Sequence, residues 1–375
     1  MDHEGTCDPR TSDVDLDREH EPGTDPADDA VERSHPGAAD RQVAFQGAWW
    51  LPNPHLQTVW GQMARSRTLV AFERELLPTP DGDELVLDHV AGPAHGPRLL
   101  ILHGLEGSSY SVYAQGMAAR AAAAGARVTV LNFRSCARDP HDVKRWLPNH
   151  RPRLYHSGET TDLDHVARTL AAREPDTALL AVGVSLGGNV LLKWLGEHAG
   201  QQLVQAAATI SVPYDLDAGA RYLTSRTGRI YVRNFLGTLL AKATDLVRRF
   251  PEIADRIDLG RAARARSFHD YDDAATAPLH GFAGAADYYA RSSSLHWLAR
   301  ISTPTLCVSA VDDPFLPPAI LDRVAEQAPR CLELRVTPHG GHVGFVTGPN
   351  PRRAEYWAER TVVDWLLARA GRHAA

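Results

Sequence analysis

Between Thr177 and His198 a continuous apolar run of strand length (TALLAVGV) passes through Gly183-Val184-Ser185-Leu186-Gly187, with Gly188 behind it, into a helix-like segment, Leu186 to His198. An all-apolar strand needs cover on both faces, which a parallel sheet layered between helices provides. The surrounding chain repeats the pattern. Arg98 to Leu102, Arg127 to Phe133 and Leu203 to Val212 read as further short strands, while Tyr110 to Ala124 and Thr160 to Arg173 read as helices, the second with Ser157 or Thr160 as its cap. Upstream, Leu69 to Leu77 and Glu84 to Val90 flank the turn P-T-P-D-G-D and read as a hairpin. The alternation stops near residue 213 and returns with a strand at Thr305 to Val311, a last strand at Cys331 to Val336 and a last helix at Arg353 to Ala370. Residues 213–298 read as helical and irregular, most simply a cap over the sheet's ligand-binding edge. The expected class is therefore α/β, with a mostly parallel central sheet flanked by helices and a helical cap insertion at about 213–298.

Charge locates the start of the folded body. Residues 1–40 hold 13 acidic against 3 basic side chains and lack apolar periodicity, a composition that does not offset the entropy of ordering, so a disordered acidic tail is expected there. The formal charge of −6 leaves +4 on residues 41–375, the expected folded domain, with 37 basic and 33 acidic side chains. So neutral a body lacks the basic stripe of a nucleic-acid-binding protein, and its Arg residues are scattered among Ala, Pro and Gly. Cys7, Cys136, Cys307 and Cys331 form no C-x-x-C pair and show no zinc-ligand spacing, which points to reduced thiols in the cytoplasm. The acidic first residues do not resemble a signal peptide, and the longest apolar passage, Ala178 to Leu195, is broken by Gly183, Ser185, Gly187, Gly188, Asn189 and Lys193, so no transmembrane segment is expected.

The same strand-to-helix junction carries the chemistry. A serine in a strained turn between strand and helix needs small residues two before and two after it, and Gly183 and Gly187 supply them. A serine hydroxyl also needs a base, and the base needs an acid to fix its tautomer, in the chain order Ser, acid, His. Val311-Asp312-Asp313-Pro314-Phe315-Leu316-Pro317 offers two acids where the sheet edge should present one. Asp313 is preferred because a proline follows it four residues later, and Asp312 is the rival. Thr337-Pro338-His339-Gly340-Gly341-His342 offers two imidazoles, of which His342, set among glycines, is the preferred base and His339 the rival. There is no H-E-x-x-H and no third ligand at suitable spacing, so neither a metal nor a cofactor is expected. The oxyanion donors should be the backbone N–H groups of Leu186, after the nucleophile, and Leu105, in the glycine-rich loop His103-Gly104-Leu105-Glu106-Gly107. That loop lacks G-x-G-x-x-G and the P-loop spacing, which makes it a weak nucleotide cradle.

Eight segments taken in order carry a resemblance over roughly residues 45–372: NPHLQTVW, HGLEGSS, YHSGETTDL, GVSLGGNVLLKWLGE, VPYDL, DDAATAPLHGFAGAADYY, VDDPF and HGGHVGF. Together they resemble the YheT-like branch of the α/β-hydrolases, which also contains phospholipase-like and ethyl-ester synthase/hydrolase members. The resemblance implies an α/β-hydrolase fold and a serine carboxylesterase, with Ser185, Asp313 and His342 on the triad positions and Leu105 and Leu186 on the oxyanion positions. One segment departs: the family's N-x-R-G-C-S-G stands here as Asn132-Phe133-Arg134-Ser135-Cys136-Ala137-Arg138, in a loop expected to border the site. The expected activity is cleavage of short- to medium-chain acyl esters, a small-molecule substrate, with Phe235, Leu236, Leu239 and Leu240 of the insertion offering an acyl-binding surface. The rivals are an acyltransferase that discharges the same acyl-enzyme to an alcohol and a catalytically silent binding protein, which a complete set of catalytic parts disfavours.

Overall fold

A computed structural model of the protein describes residues 45–65, 69–225 and 227–370; the expected acidic tail, residues 1–40, and Cys7 lie outside them. The apolar run becomes a six-residue strand, Leu179–Val184, buried along its whole length. It is the fifth of eight strands in one sheet: β1 (Glu73–Pro78), β2 (Glu84–Val90), β3 (Arg98–Leu102), β4 (Arg127–Asn132), β5 (Leu179–Val184), β6 (Ala206–Ile210), β7 (Thr305–Ala310) and β8 (Leu332–Thr337). Their spatial order is β1-β2-β4-β3-β5-β6-β7-β8. Strands β3 to β8 pair in parallel, and only β1 with β2 and β2 with β4 run antiparallel.

Period-two alternation along each strand divides the core into two layers. Leu100, Leu102 and Ala181 face one layer, with Leu163 and Val166 of α3 (Thr161–Arg173), Leu191 and Trp194 of α4 (Leu186–Glu197) and Val324 of α11 (Ile320–Gln327). Leu99, Ile101, Leu180 and Val182 face the other, with Ala114 and Met117 of α2 (Val112–Ala123) and Val362, Val363 and Leu366 of α12 (Trp357–Ala370). Helix cover on both faces is what fully apolar parallel strands require.

Between β6 and β7 the chain forms no strand among the described residues. It folds as α5 (Leu216–Tyr222), α6 (Gly228–Arg249), α7 (Leu259–Arg264), α8 (Phe268–Tyr271), α9 (Ala277–Leu279) and α10 (Ala285–Ser292), with a wide turn of π-helix at Asp272–Thr276. Phe315 and Leu316, from the loop after β7, pack into the apolar cluster of this segment. None of the described helices is long and apolar enough to cross a membrane.

Three local features differ from the sequence reading. An unanticipated helix, α1 (Pro54–Ala64), begins where Asn53 accepts the N–H groups of His55 and Leu56 and Pro54 presets the first helical turn. The first strand starts at Glu73 rather than Leu69, while its turn to β2 forms as expected, with Gly82 at φ +75° and Thr79 N–H bonded to Asp83 O at 2.9 Å. Thr160, one of the two candidate caps, holds the N-cap position of α3 and accepts Asp164 N–H at its carbonyl, but its hydroxyl donates to Glu197 instead of capping the helix.

The divergent loop after β4 is ordered by buried charge and ends in a short hairpin, Arg138–Asp139 with Asp142–Trp146. Arg134, 2% exposed, forms a fork onto Asp162 of α3 at 2.8 and 2.7 Å and reaches Asp83 at 2.8 Å. One guanidinium thus joins the β1–β2 turn, the loop after β4 and the start of α3, and the carboxylates around it hold its pKa above the ordinary arginine value. Removing one partner of a buried ion pair strands the other charge in a poorly solvating interior. Arg134→Met should therefore lower the unfolding free energy by about 3–5 kcal/mol, read from urea denaturation midpoints.

Candidate active site

Four parallel strands deliver the candidate residues from their carboxyl ends, the edge at which open α/β sheets bind ligands. Ser185 follows β5 directly and has φ 52° and ψ −118°, outside the ordinary range for a side-chain-bearing residue. Glycine makes this turn possible. A Cβ on Gly183 would lie 2.5 Å from Gly187 O, and one on Gly187 would lie 2.5 Å from the carbonyl oxygens of Leu102 and His103. The strained serine is tied back into the sheet by its N–H, which donates to Ile210 O at 2.8 Å.

His342, 8% exposed, lies in the loop after β8, and Asp313, 2% exposed, in the loop after β7. Ser185 Oγ is 2.9 Å from His342 Nε2, and His342 Nδ1 is 2.8 Å from Asp313 Oδ2. In the neutral tautomer that fits this chain, the hydroxyl donates to Nε2 and Nδ1–H donates to the carboxylate. The other Asp313 oxygen accepts Phe315 N–H at 2.8 Å, and the Phe315 ring stacks on the imidazole at a centroid distance of 4.2 Å. Asp312 and His339 are not part of this chain. They lie toward the surface, 3.3 Å apart, and Asp312 Oδ1 accepts Gly341 N–H at 2.9 Å.

Several positioning contacts went unread in the sequence. Thr58 Oγ1 of α1 accepts His342 N–H at 2.9 Å, and Ser211 Oγ accepts Val343 N–H at 3.0 Å where that residue adopts φ 66°. Buried Gln57 bonds both the N–H and the carbonyl of Val346. The Asn-Pro start signal could have revealed the helix, but nothing in its pattern marks Thr58 as a support for a loop 284 residues away.

The loop after β3 reaches the serine from the opposite side. A Cβ on Gly104 would lie 3.3 Å from Ser185 Cβ, so the backbone carrying Leu105 passes close to the nucleophile. Leu186 opens α4, and its N–H belongs to the first-turn donors that no helical carbonyl takes. Leu186 and the residue before Leu105 therefore both adjoin Ser185. Gly104 N–H donates to Tyr113 Oη at 2.8 Å, and fully buried His103 bonds Gly104 O through Nδ1 and accepts Phe133 N–H at Nε2.

A cavity of about 800 Å³ opens over Ser185 and His342. The helical segment contributes Leu216, Leu223, Phe235, Leu239 and Phe268 to its wall, and the divergent loop contributes Arg138, Val143 and Lys144. Of the four acyl-surface candidates, Phe235 and Leu239 line the cavity, whereas Leu236 and Leu240 turn into the packing of the helical segment itself. Among the described residues no group of three or more His, Cys, Asp or Glu is arranged to hold a metal ion.

Residues 97–349 match the family model for the alpha/beta hydrolase fold. The chain belongs to the α/β-hydrolase family and falls among its carboxylic ester hydrolases. Within that family it belongs to the YheT-like branch: it is 36% identical to the Escherichia coli K12 protein YheT, named as an esterase, over 84% of this chain and 90% of that one. It is also 30% identical to bovine phospholipase ABHD3, over 82% and 74% of the two chains. A medium-chain fatty acid ethyl ester synthase/esterase of Saccharomyces cerevisiae is 29% identical over 72% and 62%. Among solved structures, the Pyrococcus furiosus esterase Pf2001 shares the fold with a TM-score of 0.51 and 15% identity, over 89% of this chain and 100% of that one.

Burial beside the loop after β3 has a measurable consequence. Desolvation lowers the His103 pKa from 6.5 to about 3. Between those values the unfolded chain holds a proton that the folded protein does not, so stability falls as the pH drops. His103→Gln should reduce the slope of unfolding free energy against pH over this window by up to about 1.4 kcal/mol per pH unit, measured by urea titration at several pH values.

Proposed function

We propose that the protein cleaves carboxylic esters through an acyl-enzyme on Ser185, with His342 as general base and then general acid, Asp313 as its orienting acid, and the N–H groups of Leu105 and Leu186 as the oxyanion hole. The observation that carries this reading is the continuous chain Ser185 Oγ–His342 Nε2 at 2.9 Å and His342 Nδ1–Asp313 Oδ2 at 2.8 Å. His342 takes the hydroxyl proton as Ser185 attacks the ester carbonyl, and the resulting imidazolium is stabilised by Asp313. The same proton then passes to the departing alcohol. Water repeats the sequence on the acyl-enzyme and releases the acid. Charge on the tetrahedral oxygen would be met by the two backbone donors, and donors fixed in the backbone need little reorganisation.

The helical segment acts as a cap in this reading, and Phe235, Leu239 and Phe268 face a short- to medium-chain acyl group. Acyl transfer to an alcohol is the second reading; it is favoured by the yeast relative's name, synthase/esterase, and uses the same intermediate. The bovine relative's name, phospholipase, adds phospholipids to the candidate substrates. A cytoplasmic setting belongs to the same proposal and suits the buried Cys136 and Cys307 thiols, whose pKa values burial pushes up to about 11.

Purified protein should hydrolyse p-nitrophenyl esters from acetate to decanoate without added metal or nucleotide, and Ser185→Ala should abolish turnover. No turnover anywhere in the series, or full activity in the alanine variant, removes the serine-esterase reading. Running the series with added ethanol and quantifying ethyl ester against free acid separates transfer from hydrolysis. Asp313→Asn should lower kcat by about 10⁴-fold, whereas Asp312→Asn, which keeps an acceptor for Gly341 N–H, should stay within a few-fold of wild type in the same assay.

A further inference from the structure

A lysine is almost never fully buried without a counter-charge, yet Lys242, at the middle of α6, has a side chain only 1% exposed. Its ammonium donates to Glu106 Oε1 at 2.8 Å and to Cys136 Sγ at 3.3 Å, and it lies 5.6 Å from the centre of the Tyr155 ring. Glu106 directly follows the candidate oxyanion donor Leu105. Its backbone is left-handed, with φ 56°, a conformation that a residue with a side chain adopts only where its surroundings impose it.

The imposing contacts are all present and come from different parts of the chain. Glu106 N–H donates to Tyr155 Oη at 2.8 Å, and the same phenol donates to Glu106 Oε1 at 2.8 Å. Arg138, from the divergent loop, reaches Glu106 O at 3.3 Å. Lys242 is the contribution of the helical segment, and its charge neutralises a side chain that is itself only 8% exposed. A buried ion pair is a poor device for stability, because apolar residues of similar volume do as well or better. Its place here, one residue from an oxyanion donor, suits the positioning of that donor.

We propose that Lys242 is a positioning residue for ester cleavage: through Glu106 it sets the direction of the Leu105 N–H, so that the oxyanion hole is complete only when α6 is seated over the site. The cap then does more than line a cavity. This inference rests on the acyl-enzyme reading of Ser185, and the experiment separates the two.

Steady-state kinetics on p-nitrophenyl butyrate, with urea midpoints measured alongside, should be compared for wild type, Lys242→Met, Lys242→Arg and the double variant Glu106→Gln/Lys242→Met. A misdirected donor costs part of the ~10²–10³-fold that a whole one supplies, so Lys242→Met should lose about 10–100-fold in kcat with KM little changed. Lys242→Arg, which keeps the charge, should recover most of the loss. The double variant removes the stranded carboxylate and should regain its urea midpoint while kcat stays low. Wild-type kcat in Lys242→Met, wild-type kcat in the double variant, or a change confined to KM would each overturn the proposal. An inactive wild type, or an active Ser185→Ala, would instead overturn the reading of Ser185 and is recognised from those two proteins alone.

Discussion

The left-handed turn at Ser185 is the constraint to which the rest of the site is fitted. A serine cannot hold φ 52° and ψ −118° unless the strand before it and the helix after it come closer than side chains allow, and Gly183 and Gly187 remove the obstructing atoms. The turn holds Ser185 Oγ at 2.9 Å from His342 Nε2. It also leaves the first-turn N–H of α4 next to Ser185, so the proposed nucleophile and one proposed oxyanion donor arise from one piece of backbone geometry. Relaxing this turn would move both groups at once, and the fully buried β5 and the apolar face of α4 hold it in place.

Around the turn the protein separates positioning from chemistry. Two loops reach Ser185, from β3 and β8, and each is secured at a point other than its candidate functional atom: His103 and Tyr113 secure the loop after β3, and Thr58 and Ser211 secure the loop of His342. Phe315 covers the imidazole and also packs into the helical segment, so the stacked ring belongs to both layers. The divergent loop follows the same logic by other means. Arg134, which the family's pattern shares, is buried among the carboxylates of Asp81, Asp83 and Asp162, and the loop then presents Arg138, Val143 and Lys144 to the cavity. Its substitutions alter one wall of the cavity while the backbone beneath stays pinned.

How much of this was legible depended on the range of the interaction. The strand–helix alternation, the glycine-flanked serine and the order of serine, acid and histidine are local or ordinal features, and one sequence displays them. The choice of Asp313 over Asp312 and of His342 over His339 could be approached through spacing, and the four side chains do separate into two pairs in the structure. Contacts across long chain separations left no such trace. Thr58 to His342 and Lys242 to Glu106 join segments whose own patterns are satisfied without them, and a threonine or lysine in a helix has no periodicity that announces a distant partner. Leu236 and Leu240 were misread for a related reason: apolar residues on a helix that is packed on several sides do not reveal which side borders a cavity.

The outer pair, Asp312 and His339, gains significance from where its second oxygen goes. By accepting Gly341 N–H at 2.9 Å, Asp312 fastens the loop after β7 to the loop after β8 one residue before Asp313 and one before His342. It works as a spacer bar: the gap across which Asp313 and His342 meet is gauged from outside, by a bond that lies outside the Ser185–His342–Asp313 chain. Asp313 is thereby relieved of loop-holding across that gap, and its carboxylate is left to serve the imidazole and its own turn. Consecutive aspartates thus divide two tasks between them, one bonding the neighbouring loop and the other the imidazole.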